Sequence, residues 1–275
     1  MKNIFSIYDV EIEEIAIGKF DGVHLAHQEL LKRLGSNSGV LIIFQNDEKF
    51  LSDLKLREQL LQKKVFLISL DSIKNWSGEK FVEFLKQAFI NLKKIVIGYD
   101  FCFGKCRECQ ASDLKKLFFG VVEIVKEFKI NGISVHTHNI KEALKNAQIR
   151  QANMLLGREY QIKGKVIKGQ GIGKKFLYPT INLENLGYFL PKNGVYATLF
   201  SKDKIPSATF VGIRSTDSNF SMEVHLLREF HEMRDGDICD LFFVDFIREN
   251  QKFENLHLLK EQIALDIKQI QEILI

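Results

Sequence analysis

The sequence predicts two joined folds: an N-terminal α/β domain with a parallel sheet covered by helices, and a C-terminal β-barrel followed by one terminal helix. Three observations predict this. Short apolar runs alternate with amphipathic stretches from residue 1 to about residue 130, the texture of strands and crossover helices. Strand-like runs separated by Gly, Asn and Asp dominate after Gly157, as in a barrel. Apolar residues at helical spacing close the chain. With 275 residues there is enough chain for two substantial cores.

In order, the apolar runs at 15–17, 40–44, 65–70 and 95–97 read as buried strands, and 28–34 and 78–89 as helices between them. Residues 139–156 read as a single helix, because Ile140, Ala143, Leu144, Ala147, Gln151 and Leu155 fall near one face and Gly157 stands where it can stop. That helix places the domain boundary, giving domains 1–157 and 158–275. The barrel strands are expected at 160–167, 195–200, 207–211, 222–227 and 238–246. Leu256, Leu259, Ile263, Ile267, Ile270 and Leu274 predict the last helix, with this stripe in the core.

Composition narrows the class. Hydrophobic residues make up 45% and charged residues 27%, ordinary for a folded globular chain. The 39 basic and 35 acidic residues leave a charge of +4, and the basic residues are scattered rather than striped. That suits anionic small ligands and predicts no nucleic-acid partner. Asp9, Glu11, Glu13 and Glu14 occupy the beginning in place of an apolar signal core, and no segment approaches 18 apolar residues. No membrane partner and a cytoplasmic location are therefore expected. Four cysteines in a chain this long do not form a disulfide scaffold.

Residues 164–183 carry the densest signal. Gly164, Gly169, Gly171 and Gly173 surround small and basic residues, and Pro179-Thr180-Ile181-Asn182 follows. Backbone N–H groups of such a loop can approach phosphate oxygens, because glycine has no Cβ in the way. Thr180 and Asn182 offer neutral oxygens on one side of an extended segment, suited to Mg²⁺ held alongside phosphate. The stretch resembles the ATP loop of bacterial riboflavin kinases, G-x-V-x-x-G-x-x-x-G-[RK]-x-L-G-[FY]-P-T-x-N. Lys174 stands at its basic position and Leu177 replaces its last glycine.

Further matches follow downstream. Pro191-Lys192-Asn193-Gly194-Val195-Tyr196-Ala197 resembles P-x-x-G-V-Y-A, and Glu223-Val224-His225-Leu226-Leu227 resembles E-x-H-[IL]-[LF]. The resemblance implies that Glu223 is the general base toward the riboflavin 5′-hydroxyl. Gly212-Ile213-Arg214-Ser215-Thr216 is similar to G-x-R-P-T, with Ser215 in place of proline. Arg248 and Phe253 match R-x-x-x-K-F, which implies that Arg248 borders the flavin.

Near the front, Gly18-Lys19-Phe20-Asp21-Gly22-Val23-His24-Leu25-Ala26-His27 follows the first expected strand and opens a helix. A helix start receives phosphate, and His24 and His27, three apart, project from one side of its first turn. They can donate to a triphosphate and to charge developing at its α-phosphorus. The segment resembles G-x-F-D-G-x-H-x-G-H of the nucleotidyltransferases, specifically the FMN adenylyltransferase half of bacterial FAD synthetases, and implies a Rossmann-like domain. It implies nucleotide-binding roles for Gly18, Phe20, Asp21 and Gly22. The stretch 98–107 resembles G-x-D-F-x-F-G-x-x-R, implying that Asp100, Phe103, Gly104 and Arg107 help form the FMN and nucleotide site. The chain departs from the family at Lys19 and Ala26, lacks a Pro-His pair within Phe44-Gln45-Asn46-Asp47, and has His136-Thr137-His138-Asn139-Ile140-Lys141 where the family has S-S-T-x-I-R.

The resemblance spans nearly the whole chain and implies a bifunctional enzyme. Riboflavin and MgATP give FMN in the C-terminal domain, and FMN and a second ATP give FAD and pyrophosphate in the N-terminal one. Two other readings stand beside it. One is a kinase whose N-terminal domain only binds nucleotide. The other is an iron–sulfur radical enzyme, from the spacing of Cys102, Cys106 and Cys109.

Overall fold

The computed structural model describes residues 2–3, 9–45, 49–168, 178–213, 220–229 and 233–275. The chain forms two compact units, Met1–Glu48 with Ser52–His136, and Lys49–Leu51 with Thr137–Ile275.

The first unit is built on β1 (Lys2–Asn3), β2 (Glu14–Gly18), α1 (Leu25–Leu31), β3 (Ser38–Phe44), α2 (Leu54–Leu61), β4 (Lys64–Ser69), α3 (Leu70–Ile73), α4 (Gly78–Ala88) and β5 (Lys94–Gly98). It continues with β6 (Cys102–Phe103), β7 (Cys109–Gln110), α5 (Ala111–Leu117) and β8 (Val121–Val125). A parallel sheet runs in the order β1-β4-β3-β2-β5-β8. Alternate residues of one strand face opposite sides, so a strand covered on both sides must be apolar throughout. The outcome is visible in β2: Ile15 and Ile17 join the core under α4 and α5, while Ala16 joins the one on the opposite face with Val40, Ile42 and Val96. The four expected strands therefore form where the apolar runs lie. A short hairpin of β9 (Lys129–Ile130) and β10 (Ile133–Ser134) turns through Asn131 and Gly132, both at positive φ, the backbone a two-residue hairpin needs.

The second unit opens with α6 (Thr137–Lys145) and α7 (Ile149–Leu156), where the sequence predicts one helix over 139–156. Ala147 adopts φ 57 and Gln148 N reaches back to Ala143 O at 2.8 Å, so the ladder breaks between them. Ile140, Ala143 and Leu144 of α6 and Ala152 and Leu155 of α7 are all buried, so both helices present apolar stripes and the periodicity conceals the break. Gly157 does end α7, in the left-handed conformation. Asn153 of α7 donates to Phe243 O at 2.8 Å and accepts from Tyr160 N at 2.7 Å. These bonds tie residues 137–157 to the barrel unit, whereas the sequence puts the boundary at Gly157.

The barrel is closed in the order β11 (Tyr160–Ile167), β12 (Ile181–Asn185), β15 (Phe220–Leu226), β14 (Ile205–Ile213), β13 (Gly194–Phe200), β16 (Ile238–Arg248). Closure leaves no unpaired sheet edge. Thr198, Ser207 and Thr209 are fully buried, and Thr198 Oγ1 lies 2.7 Å from each of the other two hydroxyls, so this polar group satisfies itself. The terminal helix α8 (Leu256–Leu274) forms as expected, with Asn255 as its N-cap. Its apolar stripe is shallower than expected: Ile270 and Asp266 are buried, but Leu256 is exposed. Besides the packing of Ile270, Ile273 and Leu274 on the barrel, a partly buried ion pair holds the helix. Arg248 Nε and Nη2 donate to Asp266 at 2.7–3.0 Å, and Gln262 adds a bond to the same carboxylate at 2.9 Å.

Candidate functional site

In the first unit the turn from β2 into α1 forms the candidate nucleotide loop. Phe20 (φ 50) and Val23 (φ 40) are held at positive φ beside Gly22 (φ 82). A β-branched residue there is a true outlier, costing of order 1–3 kcal/mol and tolerated where the surroundings over-determine it. Three features over-determine this loop. Phe20 is fully buried and its ring lies 4.8 Å from that of His27. Asp21 Oδ1 accepts from Ser52 N and Arg57 Nη2, both at 3.0 Å, while Ser52 Oγ accepts from Gly22 N at 2.7 Å. Arg57 then donates to Lys19 O at 3.0 Å and Ser52 O at 2.9 Å.

His24 is the N-cap of α1, and its Nδ1 accepts from His27 N at 3.4 Å. A neutral His24 with Nδ1 as acceptor carries its proton on Nε2. The two imidazoles stack at 3.6 Å and 14°. The sequence therefore locates the pair correctly on one side of the first turn. The helix α1 that they open spans seven residues.

Arg57 and Ser52 escape sequence reasoning. A single arginine in a helix reads as surface charge, and only the fold reveals that its side chain is buried beside Asp21, the two being 9% and 10% exposed. Removing one partner of such a pair strands the other charge. Arg57→Met is expected to cost about 3–5 kcal/mol, read as a lower urea midpoint. Trp76, the single tryptophan, lies in this unit, so its fluorescence follows the right transition. A midpoint equal to the parent's refutes this account.

The second motif of this unit is the hairpin of β6 and β7 with a tight turn at Lys105–Arg107. Phe103 is buried against Phe81 at 5.7 Å and Phe101 at 5.8 Å, which anchors the hairpin. Gly104 (φ 77), Cys106 (φ 55) and Arg107 (φ 59) turn it, leaving Arg107 exposed. Asp100 Oδ2 stands 3.3 Å from His136 Nε2. The first histidine of 136–141 thus joins the motif at Asp100, while Lys141, within the other unit, donates to Lys49 O at 2.7 Å. Among the described residues no three His, Cys, Asp or Glu side chains group as metal ligands. Cys109 is packed rather than poised, its thiol pushed up chiefly by burial.

In the barrel unit, Gly164 of β11 pairs with Asn185 of β12, and a Cβ at 164 would stand 3.0 Å from Leu183 Cβ, so the glycine permits the close strand approach. Gly169, Gly171, Gly173 and Lys174 lie outside the described residues. Pro179 and Thr180 lead into β12, which sequence reasoning treats as part of the loop. Pro179 O lies 2.9 Å from His225 Nδ1, and the Tyr178 ring is 5.1 Å from the same imidazole.

The register between β12 and β15 is decisive. Asn182 pairs directly with Glu223, and directly opposed residues have Cβ atoms ~5 Å apart on one face. Asn182 and Glu223, some forty residues apart in sequence, thereby share one side of the sheet, and Thr180 stands just ahead of β12, two residues before Asn182. Glu223 is half-buried, and its Oε1 accepts from Ser221 Oγ at 2.7 Å; Ser221 is a third contact that sequence reasoning misses. A set of neutral oxygens beside a carboxylate fits a hard divalent cation carried with a phosphate. Arg248 is bound to Asp266, with its guanidinium carbon 5.8 Å from the Phe253 ring centre. A cavity of about 440 Å³ also opens in this unit, lined in part by Phe189, Leu190, Asn185 and Phe220.

Known proteins match this arrangement over both units. The riboflavin kinase (flavokinase) family model matches residues 156–274. A bifunctional riboflavin kinase/FMN adenylyltransferase of Buchnera aphidicola from Schizaphis graminum is 33% identical, over 92% of this chain and 91% of its own. One from the Acyrthosiphon pisum symbiont is 32% identical over 99% and 98%, and one from Haemophilus influenzae is 30% identical over 92% of each. A crystal structure described as a macrolide-efflux protein from Streptococcus pneumoniae superposes with a TM-score of 0.86 at 24% identity, covering 98% of this chain and 97% of that one. That likeness establishes the fold alone; no helix among the described residues here is long and apolar enough to cross a membrane. With relatives above 30% identity aligned through both the α/β unit and the barrel, the chain belongs to the bifunctional riboflavin kinase/FMN adenylyltransferase family.

Proposed function

We propose that this enzyme phosphorylates riboflavin to FMN and adenylylates FMN to FAD, the kinase step in residues 158–275 and the adenylyl step in residues 1–157. The observation that carries the kinase reading is the Asn182–Glu223 register. The riboflavin 5′-hydroxyl oxygen attacks the γ-phosphorus of ATP, its proton passes to the Glu223 carboxylate, and the bond to the β-phosphate oxygen breaks to release ADP. Gly164, Gly169, Gly171, Gly173, Lys174 and Pro179 form the phosphate loop, and Arg248 borders the flavin. Thr180 and Asn182 would hold Mg²⁺, which would supply charge neutralisation on the transferred phosphoryl group.

In the adenylyl step a phosphate oxygen of FMN attacks the α-phosphorus of a second ATP, and the α–β bond breaks to release pyrophosphate. His24 and His27 donate to the phosphates where charge develops. Gly18, Phe20, Asp21 and Gly22 shape the nucleotide loop, with Asp21 acting through the Ser52 and Arg57 bonds described above. Asp100, Phe103, Gly104 and Arg107 help form the FMN and nucleotide site. Positioning and electrostatics carry both steps without a covalent enzyme intermediate. The enzyme works in the cytoplasm on riboflavin, FMN and ATP.

Family membership through both units favours this reading over a kinase with a degenerate front domain and over the iron–sulfur enzyme. Incubation of pure protein with riboflavin and MgATP, with FMN and FAD scored separately by chromatography, tests it. Both products are expected. FMN without FAD or pyrophosphate sinks the adenylyl assignment, and absence of FMN sinks the whole.

A further inference from the structure

We propose that Ser221 is a positioning residue for the kinase step, fixing the Glu223 carboxylate in the orientation that accepts the proton; this rests on the reading of Glu223 as the base. The two residues are two apart on β15 and so share a face. Ser221 Oγ donates to Glu223 Oε1 at 2.7 Å, and Ser221 is 8% exposed. A hydroxyl has one proton to give, and here it is committed to the carboxylate. Across the ladder Ser221 faces Gly212, which has no side chain to compete for that proton.

The physical effect follows from the mobility of glutamate. A free glutamate side chain loses up to about 1.5–2 kcal/mol of rotamer freedom when ordered. A carboxylate that wanders is out of reach of the 5′-hydroxyl for much of the time. Anchoring Oε1 sets where Oε2 stands, so the base is oriented before substrate arrives. Asn182 flanks the same glutamate from β12 and Phe210 from β14, which confines it laterally. Ser221 holds it along the strand.

The test uses the full-length enzyme with kinase and adenylyl steps assayed separately, the latter from supplied FMN. Ser221→Ala is expected to lower kcat for FMN formation by about 10–100-fold, with KM for riboflavin and MgATP and the adenylyl rate unchanged. Ser221→Thr, which keeps the hydroxyl and suits a strand, is expected to restore kcat. A merely structural serine would not split kcat from KM or be rescued in this way. Parent kcat in Ser221→Ala, a change confined to KM, or failure of threonine to rescue overturns the inference. Glu223→Gln, run alongside, separates the two ideas. If it abolishes the kinase step while Ser221→Ala leaves it intact, only the role of Ser221 falls. If Glu223→Gln keeps the parent rate, the base assignment itself falls.

Discussion

Glu223→Gln is expected to lower riboflavin phosphorylation by ~10²–10⁴-fold, the range over which a positioned general base acts. The substitution conserves shape, and its amide oxygen can still accept from Ser221, so the strand and its register with Asn182 should survive. What disappears is the capacity to take a proton as the 5′-oxygen attacks. The loss should therefore fall on kcat, with KM for MgATP little altered, since the phosphate loop is untouched. FMN supplied directly should still become FAD at the parent rate, which gives an internal control for the state of the protein. A variant that keeps its kinase rate would show that the hydroxyl needs no assistance from this carboxylate.

The second large effect belongs to the stacked histidines. His24→Ala and His27→Ala are each expected to reduce FAD formation from FMN and ATP by ~10²–10³-fold, as when a single preorganised donor is removed from a developing negative charge. Because the rings stack at 3.6 Å and the His27 amide donates to His24 Nδ1, the two losses should not add. The double variant should be little worse than the more damaging single one, as is usual for residues acting as a unit. In both variants the kinase step should persist, so that FMN accumulates from riboflavin. Accumulation of FAD at the parent rate would remove the histidines from the reaction.

Much of this molecule is legible along the chain because its signals are local. The apolar runs become the buried strands β2 to β5, since a strand covered on both faces has no polar alternation to hide it. Barrel strands β11 and β13 to β16 likewise fall on the expected runs. Departures arise where one pattern is shared by two structures. Helices α6 and α7 carry apolar stripes that read as one, and the left-handed turn at Ala147 has no sequence mark such as glycine. The stripe on α8 predicts the helix correctly but not its depth, because the Arg248–Asp266 pair supplies part of the attachment. Strand β12 is masked in sequence by the glycine and proline residues before it.

Individual motif residues, their order and the two-part architecture follow from sequence by itself, since spacing along a chain suffices to place His24 beside His27 and Thr180 beside Asn182. The partners that make those residues competent lie far away in sequence, and only tertiary structure selects them. Arg57 of α2 reaches Asp21 from beyond helix α1 and strand β3, and β15 sets Glu223 opposite Asn182 through strand register. Register depends on barrel closure and burial of a whole face rather than on any local preference, because a slip of one residue would turn Glu223 to the opposite side of the sheet.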